Sequence, residues 1–116
     1  MQNSKLNSQQ LSEFIVNELK GLKAKDIVVL DVTKMTDMTD YTIIATGTSS
    51  KHLKSVASNL LQKAKESNLI PLGVEGAEDS DWVLADLGSA IVHIMLAEAR
   101  DFYQLEKLWT ESADKN

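Results

Sequence analysis

Cysteine is absent from this sequence, and proline occurs once, at Pro71. Without thiols there is no disulfide framework, no thiol nucleophile and no cysteine-based metal site. That fits a reducing compartment. Long apolar runs are missing too, and none approaches the roughly 20 residues of a membrane-spanning helix. The opening stretch MQNSKLNSQQLSEF is polar and lacks the apolar core of a secretory signal. A soluble cytoplasmic protein with no membrane contact is therefore expected. Positive charge is in deficit, with 12 basic against 17 acidic residues, net −5, and no Lys/Arg cluster. Such a surface repels phosphate backbones, so direct nucleic-acid readout is not expected. A basic protein partner suits it better, because opposite charge speeds and orients encounter. What remains is 116 residues, the length of one domain. A chain of this size buries roughly two-thirds of its unfolded surface and needs no covalent staple.

The pattern along the chain is helix, two strands, helix, short strand, hairpin, helix. In NSQQLSEFIVNELKGL, Leu11, Phe14, Ile15, Leu19 and Leu22 recur at helical spacing. Asn7 or Ser8 can cap the start, and Gly21 lies near the end. DIVVLDV is continuously apolar from Ile27 to Leu30, which predicts a strand buried on both faces. YTIIATG predicts its antiparallel neighbour, ending at Gly47. TSSKHLKSVASNLLQKAKESNL carries one apolar stripe of Leu53, Val56, Ala57, Leu60, Leu61 and Ala64, capped by Thr48 or Ser49. Pro71 forbids its continuation, and LGVEG reads as a short strand. WVLADL and AIVHIML flank Gly88-Ser89, and a two-residue turn with glycine first suits a type II′ hairpin. That register pairs Leu87 with Ala90, Leu84 with His93 and Trp82 with Met95. It puts Val83, Ala85, Leu87, Ala90, Val92 and Ile94 on one wholly apolar face, which belongs in the core. The other face, with Trp82, Leu84, Asp86, Ile91, His93 and Met95, is mixed and open to a partner or a covering element. EARDFYQLEKLW predicts a last helix with Phe102, Leu105, Leu108 and Trp109 near one face, Phe102 and Leu105 in the core, and a frayed tail over 110–116. Together these make one α/β domain with a mixed sheet of about five strands flanked by helices.

Five carboxylates, Glu75, Glu78, Asp79, Asp81 and Asp86, crowd around Trp82. They supply metal-ligand chemistry without its geometry, since Glu78, Asp79 and Asp81 sit on a Gly- and Ser-punctuated loop. Mg²⁺ sites usually add substrate phosphates, but the only phosphate-loop candidate, TGTSS, lacks the glycines and lysine of a P-loop. Neither a metal nor a cofactor is expected. His93 reads as a structural, hydrogen-bonded histidine with Asp86 as its diagonal neighbour within reach, because Ser89 lies at the wrong end of the hairpin to complete a nucleophilic triad. His52, near the start of a helix, reads as solvated. Trp82, Tyr103 and Trp109 stand out among only six aromatics. Tyr and Trp are over-represented among binding hot spots, and the pattern leaves Trp82 open between core and interface.

The segments DIVVLDV, DYTIIATGTSSKHLKSVA, PLGVEG, DWVLADLGSAIVHIM and FYQLEKLW carry a resemblance over about residues 8–109. In this order and spacing they resemble the ribosomal silencing factor family, also called RsfS or Iojap-like. The resemblance implies binding to the large ribosomal subunit at its protein L-fourteen. It also implies a steric block on small-subunit joining, which slows translation when nutrients are scarce. It implies a fold similar to nucleotidyltransferases but no catalysis, and a homodimer is consistent with it. The partner-binding residues it implies are Trp82, Leu84, Asp86 and Leu87 in the hairpin, with Tyr103, Leu105 and Glu106 in the last helix. Nucleotidyltransferases place an Asp-x-Asp soon after a Gly-Ser pair at a helix start. Here Gly47-Thr48-Ser49 is succeeded by no acid until Glu66, and Asp79-x-Asp81 lies in a different element. The alternatives are an assembly factor without blocking activity, and a nucleotide-transferring enzyme using Ser49 and the Asp79/Asp81 loop.

Overall fold

The structure, a computed structural model, describes residues 7–67, 73–76 and 79–107. Helix α1 (Ser8–Gly21) begins at Asn7, whose side chain accepts from the Gln10 backbone N–H while the Gln10 side chain accepts from the Asn7 N–H. This reciprocal capping box satisfies two amides that have no partner within the helix. Leu11, Ile15 and Leu19 form its buried stripe. The left-handed residue beyond its end is Lys23, with φ 68°, rather than Gly21.

Strand β1 (Lys25–Asp31) pairs antiparallel with β2 (Tyr41–Gly47), and β2 pairs in parallel with β5 (Ala90–Leu96). Strand β4 (Trp82–Asp86) lies antiparallel to β5, and the three-residue β3 (Gly73–Glu75) closes the far side, giving the order β1-β2-β5-β4-β3. The expectation that β1 is buried on both faces is not met. It is an edge strand, broken by a bulge between Lys25 and Val28, and Val29 is 41% exposed. A β-branched run fits a half-covered edge as well as a sheet centre, so composition alone did not separate the two. The continuous burial belongs instead to Thr42–Ala45 of β2 and Val92–Met95 of β5, the parallel pair at the middle of the sheet.

The β4–β5 hairpin has the predicted register throughout, from Asp86↔Ile91 to Trp82↔Met95. Gly88 turns with φ +84° while Ser89 does not take positive φ, and the Leu87 N–H donates to the Ala90 carbonyl at 2.9 Å. That combination is the type II′ turn. Helix α2 (Ser50–Glu66) is capped by Ser49, and buries Leu53, Val56, Ala57, Leu60 and Ala64. It ends ahead of Pro71, which lies outside the described residues. Both long helices pack on one sheet face, where Ile15, Leu19, Ile43, Leu53, Leu60, Val83, Val92 and Ile94 are fully buried.

Helix α3 (Ala97–Tyr103) covers part of the opposite face through Ala99, against Ile44 and Met95. It is shorter than expected. Gln104 adopts a left-handed conformation, φ 49°, and helical backbone resumes only over 105–107. The break rotates residues 105–107 relative to α3, so Phe102 and Leu105 do not share a buried face. Leu105 packs against the small cluster, but Phe102 is 79% exposed, contrary to its expected place in the core. Leu108, Trp109 and the tail over 110–116 lie outside the described residues.

Candidate functional site

The mixed face of the hairpin is where chemistry-bearing side chains meet. Alternation along β4 sends Trp82, Leu84 and Asp86 to this side while Val83, Ala85 and Leu87 enter the core. The Ser80 hydroxyl donates to the Trp82 carbonyl at 2.8 Å and accepts from the Trp82 N–H at 3.2 Å, which fixes where the strand begins. The Trp82 indole N–H donates to Nδ1 of His93 at 3.0 Å. Across its other side lies Tyr103, with ring centroids 4.9 Å apart and tilted by 52°. Phe102 meets Tyr103 edge-on at 5.0 Å. The result is an unbroken aromatic file, Phe102–Tyr103–Trp82–His93, that runs from solvent into the sheet. Tyr103 is 50% exposed, Trp82 is half-buried and His93 is buried.

Burial sets the charge of His93. Desolvation lowers its pKa from the ordinary 6.5 to about 4, because an imidazolium cannot be hydrated there. The ring is neutral near pH 7, and with Nδ1 accepting, its proton is assigned to Nε2. The expected Asp86–His93 bond does not form. Asp86 Oδ1 instead accepts from the Gly88 N–H at 2.9 Å and braces the turn. Both Trp82 and Asp86 are diagonal to His93 in the register, and strand twist makes the two diagonals unequal.

A second group secures the end of α3. Arg100 donates from Nε to Glu106 at 2.7 Å and from a terminal nitrogen to the Thr46 hydroxyl at 2.7 Å. On an unbroken helix, residues six apart stand roughly 120° apart around the axis and do not meet. The left-handed Gln104 brings them together. The clamp ties 104–107 to β2 and lays Leu105 on the Ile44–Met95–Ala99 cluster beside Trp82. A groove of about 480 Å³ opens next to it, lined by Asp26, Thr46, Asp101 and Gln104 as well as Arg100. The Arg100 cation is already matched by Glu106, so it offers no unmet charge for an anion.

Six of the seven residues expected to bind a partner, namely Trp82, Leu84, Asp86, Tyr103, Leu105 and Glu106, are partly or well exposed. Glu106 is engaged with Arg100. Leu87 is different, since it lies on the opposite face and is buried in the main core.

A family model described as "Ribosomal silencing factor during starvation" matches residues 5–116. The chain belongs to the ribosomal silencing factor family. Among its relatives is "Ribosomal silencing factor RsfS" of Haemophilus influenzae, 48% identical over 99 residues, covering 85% of this chain and 97% of that protein. Another is "Mitochondrial assembly of ribosomal large subunit protein 1" of Mus musculus, 37% identical over 84% of this chain and 44% of that protein. The crystal structure of a Chromobacterium violaceum protein superposes with a TM-score of 0.87 at 38% identity, over 90% of this chain and 88% of that one.

Within this silencing-factor fold, two residues of the enzymatic alternative, Ser49 and Asp79, lie at or beside the start of α2. Ser49 is the cap of α2, accepting from the His52 N–H at 3.1 Å. Asp79 shares a shallow depression with Ser50, Lys51 and Lys54, and Asp81 is exposed. Among the described residues no three His, Asp or Glu side chains gather closely enough to hold a metal ion. His52 is not solvated as expected. Its Nδ1 accepts from the Thr48 N–H at 3.0 Å, and its Nε2 lies 2.9 Å from the Leu22 carbonyl, joining the end of α1 to the start of α2. Gly47 makes room for this, since a Cβ there would overlap Leu53 Cδ2 and crowd His52. Sequence reasoning also missed Arg100, because its partner comes within reach only through the break at Gln104.

Proposed function

We propose that the protein binds the large ribosomal subunit at its protein L-fourteen and sterically blocks the small subunit from joining. Translation is thereby repressed when nutrients are scarce. On this reading it acts in the cytoplasm and catalyses nothing. The reading rests on the tilted Trp82–Tyr103 contact, which leaves one tyrosine ring half in water. Packed aromatic pairs that stay partly in water are common anchors of protein interfaces. Leu84 and Leu105 extend the apolar centre. Asp86, with exposed Glu75 opposite Leu84 in the β3–β4 ladder, gives it an acidic rim suited to a basic ribosomal protein, while the charge of Glu106 is shared with Arg100.

Truncating one such anchor removes about 2 kcal/mol or more, roughly 30-fold in affinity. Trp82→Ala should therefore keep its fold by circular dichroism and lose binding to purified large subunits. It should also fail to lower the fraction of joined ribosomes in a subunit-association assay. Wild-type binding by a folded Trp82→Ala protein would refute the anchor. A wild-type protein that binds large subunits yet leaves joining untouched at stoichiometric excess would favour a second reading, assembly without blocking, which the name of the mouse relative supports.

A further inference from the structure

The indole of Trp82 is held from two sides by different forces. Tyr103 packs against it at a tilt of 52°, a contact that is weakly directional and shared with solvent. His93 accepts its single N–H at 3.0 Å, a contact that is strongly directional. The two partners also differ in rigidity. Tyr103 is the last residue of a seven-residue helix. His93 sits mid-strand in β5, between Ile44 of β2 and Leu84 of β4, and is 8% exposed. The ring centroids of Trp82 and His93 are 5.8 Å apart and tilted by 54°, so neither ring partner of Trp82 lies flat on it, and the hydrogen bond sets the relation of this pair.

We infer that His93 is a positioning residue for the docking face: its Nδ1 fixes the Trp82 indole so that Tyr103 packs against it and a partner meets a preformed anchor. This deepens the proposed function and rests on it, since the anchor matters only if Trp82 docks. His93 itself touches no partner. Its contribution is preorganisation, sparing the partner the entropy of ordering a half-exposed indole. The alternative is that the histidine merely fills space and satisfies a buried polar atom.

The chemistry of the ring supports a permanent brace. Among the described residues, the ionisable groups nearest the Trp82–His93 pair are Asp86 of β4, Glu75 of β3, Tyr103 and Arg100 of α3, and Glu106 beyond it, with Asp26 and Asp101 in the groove beside Arg100. Asp86 is bonded to the Gly88 N–H, and Arg100 and Glu106 to each other. None contributes to the lowered pKa of His93, which burial alone produces. Nδ1 therefore keeps its lone pair through the neutral range. A proton there would set two donors against each other and release the indole.

Two substitutions separate positioning from space-filling. In His93→Asn the side-chain oxygen falls where Nδ1 stands and can still accept. In His93→Leu the volume is largely kept and the acceptor is lost. The full-length chain, labelled with ¹⁵N-tryptophan, reports the Trp82 indole N–H resonance, assigned by comparison with Trp82→Phe. Affinity for purified large ribosomal subunits is measured alongside. His93→Leu should shift the Trp82 resonance toward that of a solvated indole and weaken binding roughly tenfold, the scale of one lost hydrogen bond. His93→Asn should stay within about threefold of wild type.

Equal affinity in wild type and His93→Leu, with Trp82→Ala still defective, overturns the positioning role and leaves the docking face standing. Wild-type binding by Trp82→Ala defeats the docking face itself, and with it the role built on it. Should His93→Leu fail to fold, the wild type decides alone. Long-range imidazole spectra at pH 7 must show the Nε2–H tautomer, with a scalar coupling between Trp82 Nε1 and His93 Nδ1. An Nδ1–H tautomer or no coupling overturns the inference.

Discussion

At the scale of single residues, the buried neutral imidazole of His93 has a thermodynamic signature of its own. Its folded pKa, about 4, lies below the ordinary 6.5 that it regains on unfolding. Between those values the unfolded chain binds a proton that the folded chain refuses. Stability from this group is therefore complete above pH 6.5 and is lost as pH falls toward 4, by roughly 3 kcal/mol over the whole window. Urea unfolding at pH 7.0 and 4.5 should show a drop in wild type that is much smaller in His93→Leu. Parallel drops in the two proteins would mean that His93 is not the group responsible. The same residue shows where sequence reading stops. Its identity as a structural, hydrogen-bonded histidine was legible from its place in a strand. Its partner was not, because two diagonal neighbours, Trp82 and Asp86, were equally available in the register and only the twist of the real sheet chose between them.

At the scale of elements, what could be read depended on whether a local signal fixed the geometry. Gly88-Ser89 specifies a turn type, the turn type specifies a register, and the register specifies two faces, so the β4–β5 hairpin and its core side were legible to the residue. Asn7, one of the two caps the sequence offered, likewise marked where α1 starts. The end of α3 carried no such signal. Gln104 is neither glycine nor asparagine, yet it takes the left-handed conformation, so a periodic pattern running through it predicted one long helix and sent Phe102 to the core. The Arg100 clamp compensates for that break. Arg100→Gln should therefore leave the sheet intact and loosen 104–107, seen as faster amide hydrogen exchange at Leu105 and Glu106 than in wild type. Large-subunit binding should weaken with it, because Leu105 and Glu106 belong to the proposed docking face. Unchanged exchange at those amides would mean that the segment is held by its other contacts. Strand β1 failed for a further reason, since no property of Ile27 to Leu30 says whether a second neighbour exists.

At the scale of the whole molecule, the two faces of the sheet are unequally covered. Among the described residues, helices α1 and α2 seal one side, while α3 shields the end of the other near Ile44 and Met95. The uncovered remainder coincides with the acidic rim, in a chain of net charge −5. Association with a basic partner should accordingly be steered by long-range attraction. Raising salt from about 50 to about 300 mM should slow association with large subunits more than it speeds dissociation. A salt-independent association rate would remove charge from the docking account. The parallel pairing of β2 with β5 also has a consequence for how the chain is made. Synthesis runs from the first residue onward, so Tyr41–Gly47 is complete long before its central neighbour Ala90–Leu96 exists. Until then β2 has β1 along one edge and an open, apolar edge on the other, the arrangement most prone to pairing with a foreign strand. The late contact spans α2, β3 and β4, so local structure cannot substitute for it. A fragment stopped at Leu87 should lack a cooperative unfolding transition and aggregate, whereas native-like unfolding would show that the helical side folds without the sheet's centre. A protein proposed to restrain ribosomes thus depends on a ribosome carrying its own synthesis through β5 before it can fold.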